Sequence, residues 1–238
     1  MIQTLIRKDL GLLKQYVVGA IAVTIVCYMA TAIGVVWLTD YQDESMQSLP
    51  VRIFLILRGG HNLGFCATAL LSVMLAGSIF TLERADRSAE FLACLPPRRY
   101  QHLISKFAVL FGTTAFMVIV HVSMTLISDL LLPYVRATTY PFTDGTQLSS
   151  VLMFIGIAMS MIGGALAVSA WQSSNGFPIL CGLLTPIVLG ALIKVAGYWL
   201  ELPLNGEEGL NRLMVTTLIV GCFLTFCGAY WYVERSEP

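Results

Sequence analysis

The sequence predicts an all-α integral membrane protein. It has six transmembrane helices, an N-terminal amphipathic helix at the lipid interface and a short helix in a cytoplasmic loop. Three observations carry this reading. Hydrophobic residues make up 57% of the 238 residues and charged residues 12%, against about 25% charged in soluble domains. A soluble fold of this size buries only about 70–75% of the surface its unfolded chain exposes, so lipid is the better solvent for such a chain. The apolar residues also fall into six stretches of the length a bilayer demands, about 20 residues each. Finally, nine of the 14 Lys and Arg residues fall on one side of that six-span layout. The composition excludes a secreted disulfide scaffold, a disordered chain and an ordinary cytosolic enzyme. The formal net charge is zero, so no overall basic field recruits nucleic acid. Neither an internal repeat nor a low-complexity tract interrupts the chain, and it reads as one membrane domain over residues 1–238.

The chain opens on Met1–Tyr16. Ile2, Leu5, Ile6, Leu10, Leu13 and Tyr16 recur at helical spacing, while Gln3, Arg7, Lys8, Lys14 and Gln15 take other faces. That periodicity favours an interfacial helix over a solvated basic tail. The first span follows over residues 17–38. Val17–Met29 with Ala30-Thr31-Ala32 has the outline of a cleavable signal. The apolar run nevertheless continues to Leu38, which suits a retained span. The later spans cover residues 62–82, 107–132, 148–171, 177–200 and 213–233. Apolar Val51–Leu57 either extends the second span or lies on the outer surface. Pro178 and Pro186 mark a possible kink or break in the fifth.

Basic residues set the orientation. Arg7, Lys8 and Lys14 precede span 1, Arg84, Arg87, Arg98, Arg99 and Lys106 lie between spans 2 and 3, and Arg235 follows span 6. Both termini and the 83–106 loop are therefore expected in the cytoplasm of a bacterial-type plasma (inner) membrane. The six cysteines, Cys27, Cys66, Cys94, Cys181, Cys222 and Cys227, form no CxxC pair. Five lie in spans, where cysteine acts as a small hydrophobe, and no disulfide framework is expected.

The 83–106 loop has internal grammar. Asp86 or Ser88 offers a helix cap. Ala89, Phe91, Leu92 and Leu95 give that helix an apolar side, and Pro96-Pro97 ends it. A short capped helix with an exposed Phe-Leu face suits docking into a protein groove. A basic loop that only sets topology is the other reading of the same residues.

Residues 80–107, FTLERADRSAEFLACLPPRRYQHLISKF, resemble the cytoplasmic loop of ABC-2-type permeases, the membrane subunits of a class of ABC exporters. The residues that carry the likeness are Glu83-Arg84, Glu90-Phe91-Leu92, Leu95-Pro96, Arg98-Arg99 and Lys106. The N-terminal helix and the six-span count match as well. Ala85-Asp86-Arg87-Ser88 departs from a pattern that often holds a glycine there. The resemblance implies that residues 88–95, with Ser88, Glu90, Phe91, Leu92 and Leu95, form a coupling helix that docks on a separate ATPase subunit. Glu83 and Arg84 become its hinge with span 2. It also implies a second permease subunit, identical or related. ATP and Mg belong to the partner ATPase, because this chain carries no GxxxxGK[ST] phosphate loop.

Three further features stand apart from that loop. Gly156, Ser160 and Gly164 recur every fourth residue on span 4, with Gly163 and Ala167 beside them. Such a small-residue face lets helices approach closely, inside one subunit or between two. His121 lies mid-span with Ser123, Thr125, Ser128 and Asp129 after it. An ionisable residue in a span is a candidate for the transport pathway, and a neutral histidine bonded to a neighbouring helix is the plainer reading. His61, His102 and His121 are dispersed along the chain and propose no metal site. Glu207-Glu208 through Arg212 matches the EExxxR pattern of CAAX-type membrane proteases. No histidine follows His121 to complete that site, so no catalytic residue is assigned. A non-transporting assembly factor is the remaining alternative.

Overall fold

The computed structural model describes residues 2–12, 14–39, 48–81, 99–131, 146–172, 174, 176–199 and 207–235. The described residues form seven helices: α1 (Ile2–Leu12), α2 (Lys14–Thr39), α3 (Leu49–Ser78), α4 (Arg99–Leu131), α5 (Thr146–Ser169), α6 (Gly176–Trp199) and α7 (Glu207–Arg235). Six of these, α2 to α7, are long and apolar enough to cross a membrane. No strand occurs among the described residues. An apolar solvent explains the all-helical choice, because a helix satisfies its backbone groups internally where no water can.

The helices settle several open boundaries. α2 runs unbroken through Ala30-Thr31-Ala32 to Thr39. Val51–Leu57 belongs to α3, which is 30 residues long, so that run extends the second span. α4 begins at Arg99, eight residues before Phe107. α6 continues through Pro186 without a break. Pro186 has no backbone N–H. Thr185, just before it, donates its hydroxyl to the Cys181 carbonyl at 2.8 Å.

The chain divides into two compact units. Residues 1–13, 72–111 and 147–238 form one, and residues 14–71 and 112–146 form the other. The core of the first is α5, whose residues 160–166 are buried without interruption. A stretch of helix buried on all sides needs small residues where backbones cross. A Cβ on Gly156 would lie 2.7 Å from Thr217 Oγ1 and 3.0 Å from the Met214 carbonyl oxygen on α7. Gly163 faces Gly221 of α7, and a Cβ on Gly221 would meet the backbone of Met159 and Ser160. Gly164 instead faces α6, where a Cβ would lie 3.4 Å from Gly182 Cα and would run into Thr185. The small residues of α5 therefore serve two neighbours rather than one, all within this chain.

Candidate functional site

Glu83, Arg84, Ser88, Glu90, Phe91, Leu92, Leu95 and Cys94 lie outside the described residues. What the structure does describe is how the chain enters and leaves that segment. α3 ends at Ser78, and the chain passes through a turn at Ile79 and Phe80. Lys106, on the second turn of α4, is 2% exposed and donates from Nζ to the Ile79 carbonyl at 3.0 Å. A cation at the carbonyl end of a helix meets the negative end of its dipole. The same ammonium lies 5.8 Å from the centre of the Phe80 ring, within the range of a cation–π contact. Phe80 in turn stacks on Tyr232 of α7, with ring centres 4.4 Å apart. Beside Lys106, the buried hydroxyl of Ser105 donates to the Asp9 carboxylate of α1. Ser169, at the end of α5, donates to the Ala76 carbonyl at 3.2 Å.

Asp9 is a residue that sequence reasoning missed. Leu5 and Asp9 are both buried, one turn apart, while Leu10 is 45% exposed. The inward face of α1 is thus centred on Leu5 and Asp9 rather than on the full apolar series. The signal was present as an acidic residue one turn from Leu5 in an otherwise basic helix.

The second unit holds the other polar cluster. His121 is fully buried. Its Nδ1 lies 3.3 Å from the Tyr28 hydroxyl of α2, and the two rings stack with centres 5.9 Å apart. His61 of α3 reaches the same place. Its Nδ1 lies 3.0 Å from the His121 carbonyl oxygen and 2.6 Å from Thr125 Oγ1. The Thr125 hydroxyl donates to that same carbonyl at 3.2 Å. A carbonyl only accepts, so the set is satisfied when His61 carries its proton on Nδ1. Two of the three histidines therefore meet in space: His61 and His121 share one site although 60 residues separate them, while His102 belongs to the other unit. Among the described residues, no group of three or more His, Cys, Asp or Glu side chains is placed to hold a metal ion.

Glycines make this contact possible. A Cβ on Gly64 would lie 2.7 Å from His121 Nε2, and nearer still to Cε1. One on Gly60 would run into the Tyr28 ring, and one on Gly59 into Thr31. Gly60 and Gly64, one turn apart, thus form a face of α3 on which Tyr28 and His121 lie directly. Close to it, Arg58 Nη2 donates to Asp129 Oδ1 at 3.3 Å, with side chains 16% and 10% exposed. The Arg58 guanidinium also lies 5.5 Å from the Phe54 ring centre.

Glu207 and Glu208 open α7. Among the described residues, the histidines that touch one another or a neighbouring helix lie on α3 and α4.

The family described as ABC-2 family transporter protein matches residues 13–190 of the chain. Neither a curated protein nor a solved structure matches it. The family match covers three-quarters of the 238 residues and takes in the first four spans and part of the fifth. Together with the six apolar helices, it makes the chain a multi-pass membrane protein of the ABC-2 transporter family, a permease subunit of an ABC transporter.

Proposed function

We propose that the chain is the permease subunit of an ABC exporter, driven by a separate ATPase subunit that docks on the 83–106 loop. Residues 88–95 are the docking helix, with Phe91 and Leu92 as its apolar anchors, and Glu83 and Arg84 form the hinge. Two permease subunits, identical or related, enclose the path, with both termini cytoplasmic in the plasma (inner) membrane. ATP hydrolysis, with its Mg, belongs to the partner.

The observation that carries this reading is the family match together with the buried anchorage of the loop's two ends. A loop that only sets topology has no need of a buried lysine at its root. Chemical cross-linking from Cys94 in native membranes tests it, with the adduct identified by mass spectrometry. The expected product joins this chain to an ATPase that carries a GxxxxGK[ST] loop. A reactive Cys94 that never captures such an ATPase would overturn the docking assignment.

A further inference from the structure

Among the described residues, Asp9 and Lys106 are the most deeply buried of the Asp, Glu, Lys and Arg residues, at 5% and 2% exposure. Burying an ionised group is costly, and an apolar residue of similar size often stabilises a fold more. Charges that only set topology lie in the aqueous flanks of spans. These two lie inside, and each ties one helix to another element. Lys106 Nζ holds the Ile79 carbonyl, 27 positions earlier. Asp9 on α1 accepts from Ser105, 96 positions later. Ser105 and Lys106 are neighbours, so one turn of α4 grips both α1 and the end of α3. The two grips bracket the proposed docking helix at 88–95: Ile79 precedes it in the chain and Lys106 follows it.

We propose that Lys106 and Asp9 are positioning residues for energy transfer. They bind α1 and both ends of the docking loop into one rigid body, so that force applied to the loop moves helices instead of being absorbed at its roots. The source of that force rests on the docking reading above. The two links themselves do not.

The test uses the full chain in lipid nanodiscs, alone and assembled with its ATPase. Hydrogen exchange is read by mass spectrometry over residues 2–12, 74–81 and 99–107. Lys106→Met is expected to speed exchange over 74–81 about tenfold, the population change that about 1.4 kcal/mol produces. Lys106→Arg keeps a donor and should restore slow exchange. Ser105→Ala should speed exchange over 2–12 and leaves a good helix former in place. Unchanged exchange in Lys106→Met overturns the proposal. So does equal loosening in Lys106→Met and Lys106→Arg, which would mark a packing defect. Should both Lys106 variants fail to insert, Ser105→Ala decides alone: faster exchange in α1 supports the links and an unchanged rate overturns them.

In the assembled complex, Lys106→Met should retain its ATPase and its hydrolysis, while the ATP-dependent change in exchange over residues 2–12 and 99–107 falls about tenfold. Hydrolysis and bound ATPase falling in parallel would overturn the positioning role, because Lys106 would then serve only the shape of the docking site. A wild-type chain that retains no ATPase would overturn the docking reading, while the exchange rates would still decide whether the links exist.

Discussion

Gly64 of α3 lies directly against the imidazole of His121 on α4, where a Cβ would come within 2.7 Å of Nε2. His121 is fully buried and already stacked on Tyr28, so its ring has little room to withdraw. Gly64→Ala is therefore expected to destabilise the chain by about 1–3 kcal/mol, the usual range for overpacking a filled core. Gly112→Ala is the control, because nothing lies within 4 Å of the Cβ it would add. It should be neutral or slightly stabilising, as removing an exposed helical glycine generally is. Thermal unfolding in detergent, followed by size-exclusion chromatography, separates the two. Equal midpoints would contradict the packing described here.

The α5–α7 crossing should be less forgiving still. Added bulk on Gly221 meets the backbone of Met159 and Ser160, and Gly163 faces the Gly221 carbonyl. Backbone cannot rotate away as a side chain can. Gly221→Leu is thus expected to lower the yield of folded protein in membranes more than Gly64→Leu does. Quantitative blotting of detergent-soluble, monodisperse protein measures this. A Gly221→Leu chain that accumulates like wild type would remove the crossing as a determinant of the fold.

Arg58 and Asp129 form a half-buried pair on α3 and α4. Removing one partner of such a pair leaves a poorly solvated charge, which costs more than removing both. Asp129→Leu alone is expected to destabilise by about 2–4 kcal/mol. Arg58→Met combined with Asp129→Leu should recover a substantial part of that loss. A double-mutant cycle on thermal or denaturant unfolding gives the coupling energy, and strictly additive effects would mean that the pair does not interact.

The hydroxyl of Thr125 bonds both His61 and the carbonyl of His121, whereas Tyr28 makes a longer contact at 3.3 Å. Thr125→Val is expected to cost about 1–2 kcal/mol, since it removes two hydrogen bonds at once while His61 keeps only the His121 carbonyl. Tyr28→Phe should cost less than about 1 kcal/mol, because the stacked ring remains. The reverse order of unfolding midpoints would place the main polar link on α2 instead.

In the proposed docking loop, Phe91→Ala or Leu92→Asp should leave insertion intact and reduce ATPase co-purification at least tenfold. Loss of a buried aromatic anchor commonly costs about 2 kcal/mol or more at an interface. Both variants retaining wild-type amounts of bound ATPase would remove residues 88–95 as the docking helix.

The span count was legible because it depends on one dimension. A bilayer sets the length of an apolar run, and six such runs can be read off the chain without knowing how they pack. The α3 boundary was harder to place, because Arg52, Arg58, His61 and Asn62 interrupt the hydropathy, although the helix runs through them from Leu49 to Ser78. The small-residue face at Gly156, Ser160 and Gly164 was visible in the spacing. Its division between α6 and α7 was not, since a periodic pattern carries no information about which neighbour it meets.

The solvent, the number of helices and the loop whose residues resemble those of ABC-2 permeases could all be read from the chain before it folded. These follow from composition and local order alone. That His61 shares a site with His121, that Asp9 reaches Ser105 and that Lys106 holds Ile79 emerged only from the packed helices. Each of these joins residues 27 to 96 positions apart. The side chains at such positions meet because helices cross at points set by glycines and ring shapes, and that geometry exists only once the helices have packed.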